Sequence, residues 1–255
     1  MSTIKNIDEV HELQNVIYSS KNPTRRWLHV TRKEHILAAF DELGVVNNES
    51  AIEVGPGSGL YIAPLCFKFS RVMAVDIEHG HLIALQPLKK HFSNLEIIEQ
   101  DITEQSWRQK YDLVLCSEVV EHVEDTSKFI ASLGRMTKNG GTLILSTPQP
   151  LSFMELTSKV GLSPLFIGLV RLIYREPVLP TGHISLISEA ALASELGKNG
   201  FTIIKTSKFG LYIPIVAEFG GEGGVKLAKF FEDILVKIGV TWPLWTQLHV
   251  CRKVS

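Results

Sequence analysis

The sequence predicts an α/β protein with a doubly wound, mostly parallel, seven-stranded sheet, N-terminal helices and helical cap insertions. Three observations predict it. Short, uniformly apolar runs recur along the chain with helix-patterned stretches between them. Strands covered on both faces lose the in–out alternation of a one-sided sheet, so such runs mark a parallel sheet between helical layers. The first run also ends in a glycine cluster, Gly55-Pro56-Gly57-Ser58-Gly59, where a strand hands over to a helix. Right-handed crossovers then bring all the parallel strands' carboxyl ends to one edge, and such sheets bind ligands there, at the switch point in strand order.

The elements follow in order. Residues 7–19 carry Ile7, Val10, Leu13, Val16 and Ile17 at helical spacing. Pro23 then interrupts, and residues 31–43 repeat the pattern through Ile36, Leu37, Phe40 and Leu43 before Gly44 stops it. Strands are predicted at 50–54, 71–75, 95–99, 111–116 and 142–147, with a helix starting near Leu60 after the first. Residues 188–199 read as a helix with Ser188 as its cap, Glu189 in the first turn and Gly200 beyond its end. Strand six is predicted at 201–206 and strand seven at 246–250. Two apolar segments marked by Gly and Pro, 148–187 and 207–244, interrupt this core. The second holds a glycine cluster at 220–224, read as a hinge or turn, and an amphipathic helix at 225–238.

Composition narrows the function. Lys and Arg number 26 against 27 Asp and Glu, a formal charge of −1. A nucleic-acid binder normally shows a basic excess or stripe, which is lacking here. The locally basic run 21–33, with Arg25, Arg26 and Arg32, reads as a solvated helix end, ahead of a phosphate or lipid-headgroup patch. Cys66, Cys116 and Cys251 sit in apolar settings without disulfide or zinc spacing, and are expected to be buried as small hydrophobes. The start MSTIKNIDEVHEL lacks an apolar signal core, so a cytoplasmic location is the default expectation. No charge-free apolar stretch reaches the ~18 residues of a spanning helix.

The glycine loop allows backbone to approach a ligand where a Cβ would collide. Its G-x-G-x-G spacing differs from the G-x-G-x-x-G of a dinucleotide fingerprint. Glu53, two residues before the loop, would repel a pyrophosphate but suits the ammonium of an amino-acid tail. Asp76, about 20 residues past the loop, can accept both hydroxyls of a ribose. Asp101 can accept from an adenine amino group while Ile102 packs on the ring. The run Cys116-Ser117-Glu118 and the following Val119-Val120-Glu121-His122-Val123 place polar groups near the ligand's reactive end.

In order along the chain stand EVGPGSG, AVDIE, EQDIT, YDLVLCSEVVEHVED and RMTKNGGTLILSTP. This set resembles the motifs of class I S-adenosylmethionine-dependent methyltransferases, a Rossmann-like fold, over residues of about 50–205. The EVVEHV segment, STP and the later Gly182-His183-Ile184 resemble the ubiquinone-biosynthesis O-methyltransferase group. The resemblance implies S-adenosyl-L-methionine as cofactor. It implies Glu53, Gly55, Gly57 and Gly59 at the methionine portion, Asp76 on the ribose, Ile77 against the adenine, Asp101 on its amine, and Ser117 and Glu118 near the sulfonium.

For a hydroxyl acceptor the candidate general bases are His122 and His183, since imidazole titrates in the useful range. The plainer alternative for each is a hydrogen bond to a loop carbonyl, and His29 is a weaker candidate. No metal is expected. Glu118, Glu121, Glu124 and Asp125 are close in sequence, but a helix would spread them over several faces, although the resembling group sometimes uses a divalent ion near such acids. Residues 1–48 are expected to form a helical lid. Residues 49–206 with 245–255 would form the core, and 148–187 with 207–244 the caps around a small-molecule acceptor pocket. Apolar caps suit a hydrophobic acceptor, a membrane surface or a dimer partner, and plain internal packing is the blander reading. The function expected is methyl transfer to a small molecule, most simply at oxygen. A non-catalytic cofactor-binding protein, or least plausibly a nicotinamide-dependent oxidoreductase, are the alternatives.

Overall fold

The computed structural model describes residues 22–43, 49–104, 109–161 and 184–254. The helix expected at 7–19, and His183 with most of the first cap, lie outside the described residues.

The sheet has seven strands: β1 (Ser50–Val54), β2 (Arg71–Asp76), β3 (Leu95–Glu99), β4 (Tyr111–Ser117), β5 (Thr137–Pro148), β6 (Phe201–Phe209) and β7 (Thr246–Lys253). Their order is β3-β2-β1-β4-β5-β7-β6. Neighbours from β3 to β5 run parallel, and β7 is antiparallel to both β5 and β6. The doubly wound fold is therefore the one predicted. The chain leaves β1 for β2 and β3 on one side, then returns to β4 on the other. The crossovers diverge above the carboxyl ends of β1 and β4, which opens the crevice of the switch point.

The central strands are mostly apolar because both faces are covered. On β1 the period-two alternation sends Ala51 into one core with Val72, Leu113 and Leu115, and sends Ile52 and Val54 into the other with Met73, Val75 and Val114. The first core is closed by α1 (Pro23–Glu42), α2 (Ile62–Lys68) and α3 (His79–His91) through residues such as Ile36, Leu65 and Leu85. The second is closed by α4 (Thr126–Met136) and α6 (Glu189–Lys198) through Ile130, Leu133, Leu192 and Leu196. Between them in sequence, α5 (Phe153–Gly161) follows β5. Two helices fill the second cap, α7 (Pro214–Phe219) and α8 (Gly221–Lys237). A third cluster joins Trp27 and Leu28 of α1 to Ala217, Val225, Ala228 and Trp245. Internal packing thus accounts for one face of α8, while Phe230, Phe231 and Ile234 stay exposed on another.

Several local expectations are corrected. The helix expected at 31–43 begins eight residues earlier, at Pro23, which occupies the first helical position of α1, where a missing N–H costs nothing. Asn22 caps that helix, its Oδ1 accepting from the amides of Thr24 and Arg25 at 2.9 and 3.1 Å. The basic run is not a solvated helix end. Arg25 and Arg26 reach Glu218 and Glu222, and Arg32 is nearly buried. Strand five begins at Thr137, five residues early in the chain, because the turn through Gly140 (φ +78°) lets four residues bulge out between the Tyr111–Thr137 and Leu113–Thr142 pairs. Of the glycines at 220–224, Gly220 makes the turn and Gly221, with φ +52°, begins α8, while Gly223 and Gly224 lie inside it. Gly220 and Gly224 let α7 and α8 meet closely: a Cβ on either would come within 2.6 Å of the Val216 carbonyl oxygen. The three cysteines are buried and unpaired.

Candidate active site

Two adjoining clefts of about 420 and 450 Å³ open at the switch point. They share walls at Gly55, Asp76, Ile77, Val119 and His122. Volumes of this size suit a small organic ligand.

The loop after β1 builds the floor. Gly55, Gly57 and Gly59 all take positive φ, at +68°, +51° and +76°, a conformation that Cβ-bearing residues rarely adopt. At Gly55 the space is also closed, since a Cβ would lie 2.4 Å from Val119 Cγ2.

Glu53 enters the cleft from beneath this loop. Strand parity turns it toward the helical layer of α1 to α3, and it is only 2 % exposed. Its Oε2 is buried and has no hydrogen-bond partner among the described residues. Burial first, and then the nearby Asp76 charge, push its pKa well above the usual carboxylate range. A buried carboxyl without a donor is costly unless a ligand supplies one.

Asp76 closes β2. Its Oδ1 accepts from the Glu78 amide at 2.9 Å and its Oδ2 from His81 Nδ1 at 3.0 Å. Ile77, next along, is 67 % exposed and lines both clefts. Asp101 Oδ1 accepts from the Thr103 amide at 2.7 Å, and Ile102 is buried beside it in the first cleft. An exposed isoleucine, a buried one and an acid therefore line the same cleft.

The end of β4 supplies the other wall. Ser117 and Ser146 share a hydroxyl hydrogen bond of 3.0 Å, and Ser146 donates to Glu118 Oε1 at 2.9 Å. Glu118 Oε2 pairs with Arg32 Nη1 of α1 at 2.6 Å, with both side chains mostly buried. Glu118 is the one non-glycine among the described residues with positive φ, +57°. Strain of this kind is kept only where surroundings over-determine it, and here a salt bridge and a hydroxyl do so. Glu121 and His122 follow in a single helical turn, Val120–His122. His122 is exposed between the two clefts. Glu121 points inward, 1 % exposed, with Oε2 accepting from Thr147 at 3.0 Å and Oε1 unpartnered among the described residues. Burial foremost, and then Glu118, raise its pKa to about 8. Asp125 starts α4 as its cap, accepting from the Lys128 amide. Among the described residues no three His, Cys, Asp or Glu side chains form a metal-binding group.

The structure thus gathers Glu53, Gly55, Gly57, Asp76, Ile77, Asp101, Ile102, Ser117, Glu118 and His122 around the two clefts, with Gly59 in the same loop. It adds Arg32, His81 and Tyr61, which sequence reasoning missed. His29, the weaker base candidate, is neutral: burial first, then Arg32 and Arg25, lower its pKa to about 4. It meets Arg32 Nη2 through Nδ1 at 3.1 Å and packs edge-on against Trp245.

Comparison with known proteins agrees with this geometry. A family model described as a methyltransferase domain matches residues 25–206. The ubiquinone biosynthesis O-methyltransferase of Rickettsia conorii is 30% identical over 120 residues, covering 46% of this chain and 42% of that protein. The mitochondrial ubiquinone biosynthesis O-methyltransferase of Schizosaccharomyces pombe is 27% identical over 154 residues, covering 57% and 55%. The chain spans about half the length of these curated relatives. Among solved structures, magnesium protoporphyrin IX methyltransferase from Synechocystis PCC 6803, with bound SAH, superposes with a TM-score of 0.61 at 19% identity, covering 95% of this chain and 93% of that one. At that identity the likeness is one of fold.

Proposed function

Because the chain belongs to the methyltransferase-domain family, we propose that it transfers the methyl group of S-adenosylmethionine to a hydroxyl oxygen of a small, partly apolar acceptor. The observation that carries the reading is the buried Oε2 of Glu53 beneath the glycine loop, which has no hydrogen-bond partner among the described residues. The ammonium of a methionine tail supplies the donor that this carboxylate lacks. Asp76 would hold the ribose hydroxyls and Asp101 the adenine amine, with Ile77 and Ile102 supplying apolar contact to the ring.

When bound, the donor supplies an activated methyl group, and the protein contributes placement, which is worth ~7–11 kcal/mol in well-aligned systems. Glu118, fixed by Arg32 and Ser146, holds the wall beside the transfer point. His122, at the boundary of both clefts, takes the acceptor's proton. Oxygen as the target rests on the O-methyltransferases among the relatives. The apolar character of the acceptor rests on Leu60 and Val119 in the second cleft.

Titration calorimetry with S-adenosylhomocysteine tests the cofactor half. Burial and the Asp76 charge favour the neutral form of Glu53, whereas an ammonium beside it favours the ionised form, so binding is expected to release a proton. The measured heat should then vary with the buffer's ionisation enthalpy, and that variation should vanish in Glu53→Gln, which should also bind more weakly. Tighter binding of NAD than of S-adenosylhomocysteine would sink the reading. For the acceptor half, a metabolite screen with labelled donor identifies a substrate. His122→Ala should then lower turnover while leaving S-adenosylhomocysteine affinity unchanged; full turnover in that variant removes His122 from the mechanism.

A further inference from the structure

A carboxylate that receives two ribose hydroxyls must present both oxygens at once. Asp76 can do so only in a narrow range of side-chain rotation, and it is held there from two directions. The Glu78 amide donates to Oδ1, a tight local turn of the kind aspartates form after a strand. His81 lies one turn further, at the start of α3, and meets Oδ2 through Nδ1 at 3.0 Å. A carboxylate only accepts, so Nδ1 carries the hydrogen. A carboxylate has about four lone-pair sites, so two donors leave each oxygen one further site. Asp76 itself is almost buried at the junction of both clefts, whereas the His81 side chain is half-exposed in the wall of the second.

We propose that His81 is a positioning residue for the ribose-binding carboxylate: its Nδ1–H locks Asp76 in the rotation that turns both oxygens to the ligand. The proposal rests on the reading of this crevice as the S-adenosylmethionine site. The remaining charged neighbours do not substitute for it. The Glu78 amide is committed to Oδ1, so the hydrogen bond that restrains Oδ2 comes from His81 alone among the described residues.

The test is calorimetric titration of S-adenosylhomocysteine into the full chain and four variants. Asparagine carries its amide nitrogen near the place of Nδ1; glutamine carries it further out. His81→Gln and His81→Ala are expected to lose about tenfold in affinity, the scale of one hydrogen bond to a charged group, while His81→Asn stays within about twofold. A structural role would not be rescued by asparagine and spared by neither of the others. The half-exposed position should leave thermal melting of all three unchanged, which separates binding from folding. Asp76→Ala is the control on the premise. If it binds as the wild type does, the cofactor-site reading fails and this proposal with it. If it loses binding but His81→Gln and His81→Ala do not, only the positioning role is overturned. Equal loss in all three His81 variants overturns it as well.

Discussion

Glu121 is a carboxylic acid placed in the core, and its chemistry gives the protein a pH-dependent weakness. Folded, it holds its proton up to about pH 8; unfolded, it ionises near an ordinary carboxylate pKa of about 4.5. Between those values the unfolded chain binds fewer protons than the folded one, so stability falls as pH rises. Thermal melting is expected to decline from pH 5.5 to pH 8.5 in the wild type, and to decline less in Glu121→Gln, which keeps the bond from Thr147 without an ionisable group. An unchanged slope would show that Glu121 is already ionised in the fold. Single residues also mark the limit of local reading. Asp76 and Asp101 are legible because each follows an apolar strand at its carboxyl end. Arg32 is not, because its meaning depends on Glu118, 86 positions away in the chain. Its neighbours along the sequence describe an ordinary basic helix.

At the scale of elements, α1 shows how a helix is tied to a site it does not belong to in sequence. Its inner residues Ile36 and Phe40 enter the sheet's first core, and Trp27 and Leu28 enter the cluster under α7 and α8. Its first turn depends on Asn22, which caps the amides of Thr24 and Arg25 and donates from Nδ2 to Glu218 at 3.0 Å. Asn22→Ala should therefore cost about 1–2 kcal/mol, at the upper part of the range for a lost cap, because a second bond goes with it. Asn22→Asp keeps the cap but sets a charge against Glu218, and should recover only part of the loss. Denaturant midpoints measure both, and equal stability of Asn22→Ala and the wild type would remove the cap from the account. The strand limits were readable at their amino ends: β1, β2, β3, β4, β6 and β7 begin where the apolar runs begin. The start of α6 was readable too, since Ser188 caps it by accepting from the Ala191 amide, but the start of α1 was not. Pro23 looks the same in sequence whether it ends one helix or starts the next, and only the cap hydrogen bonds decide.

Across the whole molecule, function follows from one topological event. Strands β1 and β4 are neighbours whose connections leave in opposite directions, and Glu53, Asp76, Asp101 and Glu118 stand at the edge this creates or directly beneath it. The antiparallel β7 then places Trp245 and the start of its strand beside α1, so that Arg32 lies 5.5 Å over the Trp245 ring while pairing Glu118. The sheet thus carries the crevice, and α1 adds Arg32 to its wall from outside the sheet.

The sequence by itself determined the doubly wound sheet, the glycine loop and the order of its acidic partners. These are short-range properties: strand burial, positive-φ turns and strand-end carboxylates are each written within a few adjacent residues. Only the tertiary structure decided that Glu53 Oε2 is buried with no hydrogen-bond partner among the described residues, that His81 stands on Asp76, and that α1 delivers Arg32 to Glu118. Each of those needs segments far apart in the chain, or a turn's three-dimensional path, to bring charges together in a space that excludes water. Local pattern specifies which groups exist; packing specifies which of them meet.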